Sequence, residues 1–461
     1  MTPWNFPSSL RAMTMTRRFA TLSRIVLLAL VCVSLPAGPV AAASPLRLAN
    51  DEPLVCIYYF PHWWEPWKSS DEAVLRDLRR LRGAGFNTLL LDHEWSQAID
   101  GNWRWLDRSH RLAAQAGMKI LPWLSAKSWG DVSPGDRARL ARQWFGAEIP
   151  FGLSQDGSPA APLIYDDAVL SAGSQYTIRY LERYSSAALL QVRWKGAVRP
   201  VVSLSVESAW IGGFDARSTR LFREWLVLKY GDIGKLNAHW GTALKSFEGI
   251  EPRDVKLFDY SGHVAGQARH PAAVEDHVAF RAETTSKSLA RMAALVRARR
   301  PDVLFLAEVP YQYDAEHPHA RGYRIAYGAN PESCDYAEIV LFRCTGPLAA
   351  SEAQSLERHR RRTGQRFVLT YRTYSDWDVD PGTVAFQQSV KLYADQAASL
   401  GDGFGFYSFN EMVDTHLTYS PAMSAQQPSG WSPERAERAI GLADAMVRRY
   451  LQQVAARPDR P

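Results

Sequence analysis

The sequence predicts an α/β chain built as a (β/α)8, or TIM, barrel, and three observations carry that prediction. Eight short runs rich in β-branched and aromatic residues follow one another along the chain. Five of the seven spacings between their starts are 31–37 residues, the size of one βα unit. The segments between the runs carry helix signals. The runs begin at Leu54 (LVCIYYF), Asn87 (NTLLLD), Lys119 (KILPWLS), Val201 (VVSLSVE), Val303 (VLFLAEV), Tyr336 (YAEIVLF), Phe367 (FVLTYRTY) and Phe404 (FGFYSFNE).

Each intervening segment reads as helix for a local reason. Ser70 to Gly83 has a Ser cap, early acids, late arginines and a terminal Gly. Trp103 to Ala116 stops at Gly117. Asp167 to Ala187, Ala273 to Arg300, Ala349 to Thr363 and Thr383 to Leu400 precede the fourth, fifth, seventh and eighth runs. A closing helix is capped by Ser432-Pro433-Glu434 and lines up Ile440, Ala443, Val447, Tyr450, Leu451 and Val454 on one face. The unit before the sixth run is poorly helical. The two long spacings are insertions after the third and fourth strands, covering 126–165 and Ser208 to Ala272, on the face where barrels build their sites. A doubly wound dinucleotide fold is disfavoured because no GxGxxG follows the first run. Gly401, Gly403 and Gly405 are read as turn and close-packing glycines.

Composition fits a folded chain: 461 residues, 46% hydrophobic, 11% aromatic and 22% charged. The formal charge of +6 is misleading. Residues 1–43 hold Arg11, Arg17, Arg18 and Arg24 with no acid, which leaves 50 basic against 48 acidic residues beyond them. Nothing there calls for nucleic acid or an anionic membrane as partner. The same 43 residues order a basic stretch, the apolar run Ile25 to Leu35 and the small tail Val40-Ala41-Ala42-Ala43, the layout of a secretory signal peptide. The expected organisation is therefore a signal at 1–43 and one catalytic barrel at 44–461, secreted to the periplasm or outside the cell. Cys56, Cys334 and Cys344 form no disulfide framework, and Cys56 reads as core.

Barrel sites form where strands end. The ends of the eight runs offer His62, Trp63 and Trp64; Asp92, His93, Glu94 and Trp95; Trp123; Glu207 and Trp210; Glu308 and Tyr311; Arg343; Tyr371 and Asp376; and Asn410 with Glu411. Side-chain alternation sharpens two of them. In VVSLSVE the even positions are Val202, Leu204 and Val206, which suit the helices, so Glu207 points inward above Ser203 and Ser205. Glu308 shares its face with Leu304 and Leu306. Glu207, Glu308 and Glu411 are the catalytic candidates. Flat aromatic faces pack on the C–H faces of sugar rings, and polar groups hold the hydroxyls. Hence Trp63 and Trp64, with Trp95 or Trp123, are expected to line a sugar cleft, and Trp103, Trp105 and Trp144 to be core. His62, Asp92, Glu94, Trp210, Tyr311, Arg343, Tyr371, Asp376 and Asn410 are expected to bind substrate. No HExxH, GxxxxGK[ST], GxSxG or EF-hand loop occurs, so neither a cofactor nor a metal is expected.

The stretch Phe222 to Thr242, FREWLVLKYGDIGKLNAHWGT, follows VSLSVESAWIGGF. It resembles the retaining glycoside hydrolases of clan A, in particular the family 42 β-galactosidases, in the pattern W-x(4)-YG-x-I-x-x-LN-x-x-WGT. The resemblance implies a barrel glycosidase in which Glu207 is the general acid/base. It departs from the family in two places. Val206 stands where an Asn usually precedes that glutamate. The seventh run, RFVLTYRTYSDWD, has no glutamate where the family nucleophile would end it. Glu308, Glu411 and Asp376 remain candidates for the second carboxylate. The expected activity is cleavage of an O-glycosidic bond in an oligo- or polysaccharide by a carboxylate pair. The alternatives are a non-catalytic carbohydrate-binding barrel, or a polysaccharide lyase or transglycosylase on the same fold.

Overall fold

The computed structural model describes residues 45–59, 70–93, 95, 103–124, 150–184, 188–204, 212–310, 334–344, 346–372, 382–409, 412 and 433–456. In chain order the strands are β1 (Val55–Tyr58), β2 (Thr88–Asp92), β3 (Lys119–Trp123), β4 (Phe151–Leu153), β5 (Pro159–Pro162), β6 (Gln191–Trp194), β7 (Ala197–Ser203), β8 (Leu304–Pro310), β9 (Ile339–Cys344), β10 (Arg366–Arg372) and β11 (Gly403–Tyr407). Eight of them, β1, β2, β3, β7, β8, β9, β10 and β11, pair in parallel. The sheet closes into a single ring, in which β11 pairs with β1 through Phe404 and Val55, and β3 meets β7 at Trp123 and Ser203. A closed ring leaves no parallel edge strand exposed. β4 and β5 form a separate antiparallel hairpin, and β6 pairs antiparallel with the first half of β7.

The helices follow the barrel rhythm. They are α1 (Asp71–Gly83), α2 (Arg104–Gln115), α3 (Asp167–Arg183), α4 (Ala216–Tyr230), α5 (Ile233–Trp240), α6 (Tyr260–Val264), α7 (Pro271–Arg297), α8 (Ala350–Thr363), α9 (Val384–Leu400) and α10 (Pro433–Ala455). Their starts have local causes. Ser70 accepts a hydrogen bond from the Ala73 amide, and Asp166 from that of Ala168. Asp215 and Asp232 do the same for Ser218 and Lys235. On α10, Ile440, Ala443, Val447, Tyr450 and Val454 are buried, and Leu451 packs beside them. No helix among the described residues is long and apolar enough to cross a membrane.

Side-chain alternation divides each barrel strand between two cores. Cys56, Tyr58, Leu90, Leu121, Trp123, Val201, Leu304, Leu306, Leu341, Val368 and Tyr407 fill the lumen. Val55, Ile57, Leu89, Leu91, Val202, Leu204, Phe305, Ala307 and Phe342 face the helices. The split of Val201 from Val202 and Leu204 is the one the alternation in VVSLSVE predicts. Gly405 makes the seam between β11 and β1 possible: a Cβ there would lie 2.5 Å from both the carbonyl oxygen and the Sγ of Cys56. Cys56, Cys334 and Cys344 are buried free thiols.

A third core belongs to the excursion after β7. Phe222, Leu226, Leu236, Trp240, Phe258 and Tyr260 pack against Val274, Val278 and Phe280 in the first half of α7. The turn after α5 is tied by one side chain. Asn237 Nδ2 donates to the Leu244 carbonyl at 2.8 Å, and its Oδ1 accepts from the Thr242 hydroxyl at 2.7 Å and the Leu244 amide at 2.9 Å. Gly241 takes the left-handed conformation, φ 67°, that ends the helix.

Candidate active site at the barrel mouth

The carboxyl ends of five barrel strands bring Tyr58, Trp123, Glu308, Arg343 and Tyr407 together inside the lumen. Glu308 is fully buried and shares its face of β8 with Leu304 and Leu306. The Tyr58 hydroxyl donates to Glu308 Oε1 at 2.6 Å. Arg343 Nη1 approaches the same oxygen at 3.5 Å. The Arg343 guanidinium carbon sits 4.5 Å from the centre of the Tyr407 ring. The Tyr58 ring is wedged between Trp123 and Tyr407, with centroids 4.9 and 4.8 Å away. Asp92, alternating with the lumen residue Leu90, is buried on the same side of β2.

Electrostatics here follow from burial in the lumen. Burial pushes the Tyr58 phenol well above its usual range; the Glu308 charge raises it further and Arg343 partly opposes. The phenol is therefore a proton-bearing donor, and Glu308 its acceptor. Removing one partner of the buried Arg343–Glu308 ion pair costs about 3–5 kcal/mol, because the other charge is left uncompensated. A carboxylate held this way can attack an electrophilic carbon or take a proton from water. Among the described residues, no cluster of three or more His, Cys, Asp or Glu side chains could hold a metal ion.

Several expected site residues lie elsewhere. Tyr371 was expected to bind substrate; instead it points away from the lumen. It is buried against the helices, reaches Gln396 of α9 at 3.1 Å, and packs edge-on to Tyr393 and Phe404. The alternation explains it, since the neighbour facing inward is Thr370. Trp95, one of the two residues expected to complete the sugar platform, belongs to the outer core and donates its indole N–H to the Leu124 carbonyl at 2.8 Å. Trp123, the other, is on the lumen side but 1% exposed, a packed wall for Tyr58. Trp105, expected in the core, is 39% exposed, with Arg104 and Arg108 over its ring. Trp103 is packed as expected, stacked on Tyr176. His62, Trp63, Trp64, Glu94, Trp144, Glu207, Trp210, Tyr311, Asp376, Asn410 and Glu411 lie outside the described residues.

Tyr58 and Tyr407 join this cluster although neither stands at the end of its run. Their signal was available: Tyr58 alternates with Cys56, and Tyr407 with Gly405, on the face opposite Val55, Ile57, Phe404 and Phe406. A second polar cluster stands behind β2, outside the lumen. The Tyr180 hydroxyl lies 2.6 Å from both His93 Nδ1 and His110 Nε2, and Tyr176 donates to the His93 carbonyl at 2.7 Å. A single phenol hydrogen serves both imidazoles, so one must donate while the other accepts.

No family model matches the chain. A β-galactosidase of Thermus thermophilus is 24% identical over 246 residues, 46% of this chain and 34% of that one. The chain spans about a third of the length of the curated relatives it matches. Among solved structures, the catalytic domain of a Paenibacillus polymyxa β-amylase superposes with a TM-score of 0.53 at 15% identity, covering 80% of this chain and 96% of that one. A β-galactosidase of the haloarchaeon Halorubrum lacusprofundi superposes with a TM-score of 0.50 at 16% identity, covering 86% of this chain and 57% of that one. The sequence relatives are thus β-galactosidases, as the resemblance of residues 201–242 implied. The structural neighbours share the barrel.

Proposed function

We propose that the chain is a secreted glycoside hydrolase in which Glu207 donates the proton to the leaving oxygen and Glu308 is the second carboxylate. The observation that carries this reading is Glu308 itself: an inward-facing carboxylate at the carboxyl end of a barrel strand, hydrogen-bonded to Tyr58 and ion-paired with Arg343. The sequence relation to β-galactosidases supports the reaction class. Glycosidic cleavage needs one carboxylic acid to protonate the leaving group and one carboxylate to attack C1 or activate water. β7 and β8 are adjacent, which suits a pair acting across one bond. Residues 1–43 serve as the export signal in this reading, with the mature chain beginning near Ser44.

The test is hydrolysis. The protein is offered β-linked galactosides and a panel of polysaccharides, with reducing ends counted. Glu207→Gln should lose about 10²–10⁴ in rate on natural substrates and much less on activated aryl glycosides. Glu308→Ala should lose nearly all activity, with partial rescue by azide if the group is a nucleophile. Sugar binding without reducing-end release would favour a binding barrel. Absorbance from an unsaturated product would favour a lyase. Full activity in Glu308→Ala would move the role to Glu411 or Asp376.

A further inference from the structure

The phenol that meets Glu308 is as firmly built as the carboxylate. Tyr58 comes from β1, opposite β8 in the ring, and its hydroxyl crosses the lumen to reach Oε1. Trp123 from β3 and Tyr407 from β11 hold the two sides of its ring. Tyr407 also carries the Arg343 guanidinium, which addresses the same Oε1. Four strands therefore contribute one side chain each to fixing a single carboxylate oxygen on a fifth.

We propose that Tyr58 is a positioning residue for Glu308: its hydroxyl fixes the carboxylate inside the lumen and, with Arg343, holds it as an anion. This rests on the proposed role of Glu308. Two donors converging on one oxygen favour the charged form, since a protonated carboxyl accepts weakly. A carboxyl kept ionised in this way serves as nucleophile or base and not as the proton donor, which leaves that part to Glu207. Tyr58 cannot take over as base, because burial and the neighbouring negative charge keep its own proton on.

The ionisable side chains that share this lumen among the described residues are Cys56 and Tyr58 from β1, Asp92 from β2, Arg343 from β9 and Tyr407 from β11. Asp92 is the one acid in the set besides Glu308. Cys56 is pushed up by burial and stays a neutral thiol. Among the described residues, Arg343 and Tyr58 are the groups seen to favour the Glu308 anion.

The measurement is the titration of Glu308, followed by carbon NMR of protein labelled at glutamate side-chain carboxyls and assigned by loss of the signal in Glu308→Gln. Tyr58→Phe removes one oxygen and one hydrogen bond. It should move that titration upward by about one to two pH units, the equivalent of a hydrogen bond to a charged group. The acid limb of kcat should move up with it, and kcat should fall about 10- to 100-fold at little change in KM. A titration that does not move in Tyr58→Phe overturns the inference, even if Glu308→Ala is inactive and the hydrolase reading stands. A titration that moves while the acid limb stays fixed supports the inference and removes Glu308 from the reaction. Should Tyr58→Phe fail to fold, 3-fluorotyrosine at position 58 replaces it. The more acidic phenol donates more strongly and should move the titration downward; no movement there overturns the inference.

Discussion

Trp240 donates its indole N–H to Asp276 Oδ2 at 2.8 Å, joining the end of α5 to α7. Tyr230 and Lys229, at the end of α4, reach the same carboxylate, each at 2.5 Å. Three residues of the stretch that most resembles the β-galactosidases therefore converge on one buried acid, while Asn237 and Gly241 close the turn between them and Leu244. The motif is a fastening for the excursion after β7.

Asp276→Asn should accordingly destabilise the protein without touching the chemistry. The carboxylate is buried and meets three donors, and losing its charge leaves them poorly matched. Hydrogen bonds to charged groups contribute roughly 1.5–3 kcal/mol each, but Lys229 is well exposed and counts for less. A loss of about 2–4 kcal/mol in urea unfolding is expected, with KM and kcat unchanged below the melting transition. Unchanged stability would mean that the cluster is not the fastening it resembles.

Acid should weaken the fold through the imidazoles behind β2 and in the third core. Burial pushes His110 down to about 3, against a weaker upward pull from Asp107. His277 is also pushed well below its usual value, by burial and then by Arg281. Unfolded, each takes a proton near pH 6.5; folded, His110 does so only near 3. Stability from His110 is thus complete above pH 6.5 and is lost as the pH falls toward 3, at up to about 1.4 kcal/mol per pH unit. His110→Gln should lower stability at pH 7 but flatten its fall between pH 6 and 4, measured by urea titration at each pH. An equally steep fall in the variant would assign the acid sensitivity to other groups.

The strands and helices were legible because each is written locally. Caps sit one residue before the helices, and apolar runs alternate against a two-sided burial. The same alternation told Glu308 and Val201 from their neighbours. It failed where it was not applied. Its place at the end of a run suggests Tyr371 for the site, although its parity with Leu369 assigns it to the helices. Tyr58 was passed over because it precedes the end of its run. Trp95 and Trp105 were misread for another reason. Whether an indole is covered depends on residues far away in sequence, such as Tyr176 beside Trp95, and no local pattern carries that.

Gly405 provides a direct check on the seam of the barrel. Its would-be Cβ meets a backbone oxygen and the Cys56 Sγ at 2.5 Å, and Thr370 Cγ2 at 3.0 Å, none of which is the tip of a flexible chain. Gly405→Ala should therefore force β1 and β11 apart and cost about 1–3 kcal/mol or more, as overpacking does. Cys56→Ala removes one of the two close atoms and should recover only part of that loss, because the carbonyl remains. A melting temperature unmoved by Gly405→Ala would require a looser seam than the pairing of Cys56 with Gly405 describes.

Trp123 separates packing from positioning. Its ring is 1% exposed and lies against Tyr58, so Trp123→Ala should cost about 3–5 kcal/mol as a core truncation. It should also free the Tyr58 ring on one side, and the phenol would no longer be held over Glu308. Trp123→Phe keeps an aromatic wall with less area and should retain most of the activity. Combined with Tyr58→Phe, Trp123→Ala forms a double-mutant cycle on kcat. If Trp123 acts by holding Tyr58, the loss caused by Trp123→Ala disappears once the Tyr58 hydroxyl is gone. If the two losses simply add, Trp123 touches the sugar or the lumen independently of Tyr58, and its role as a platform for the ring returns.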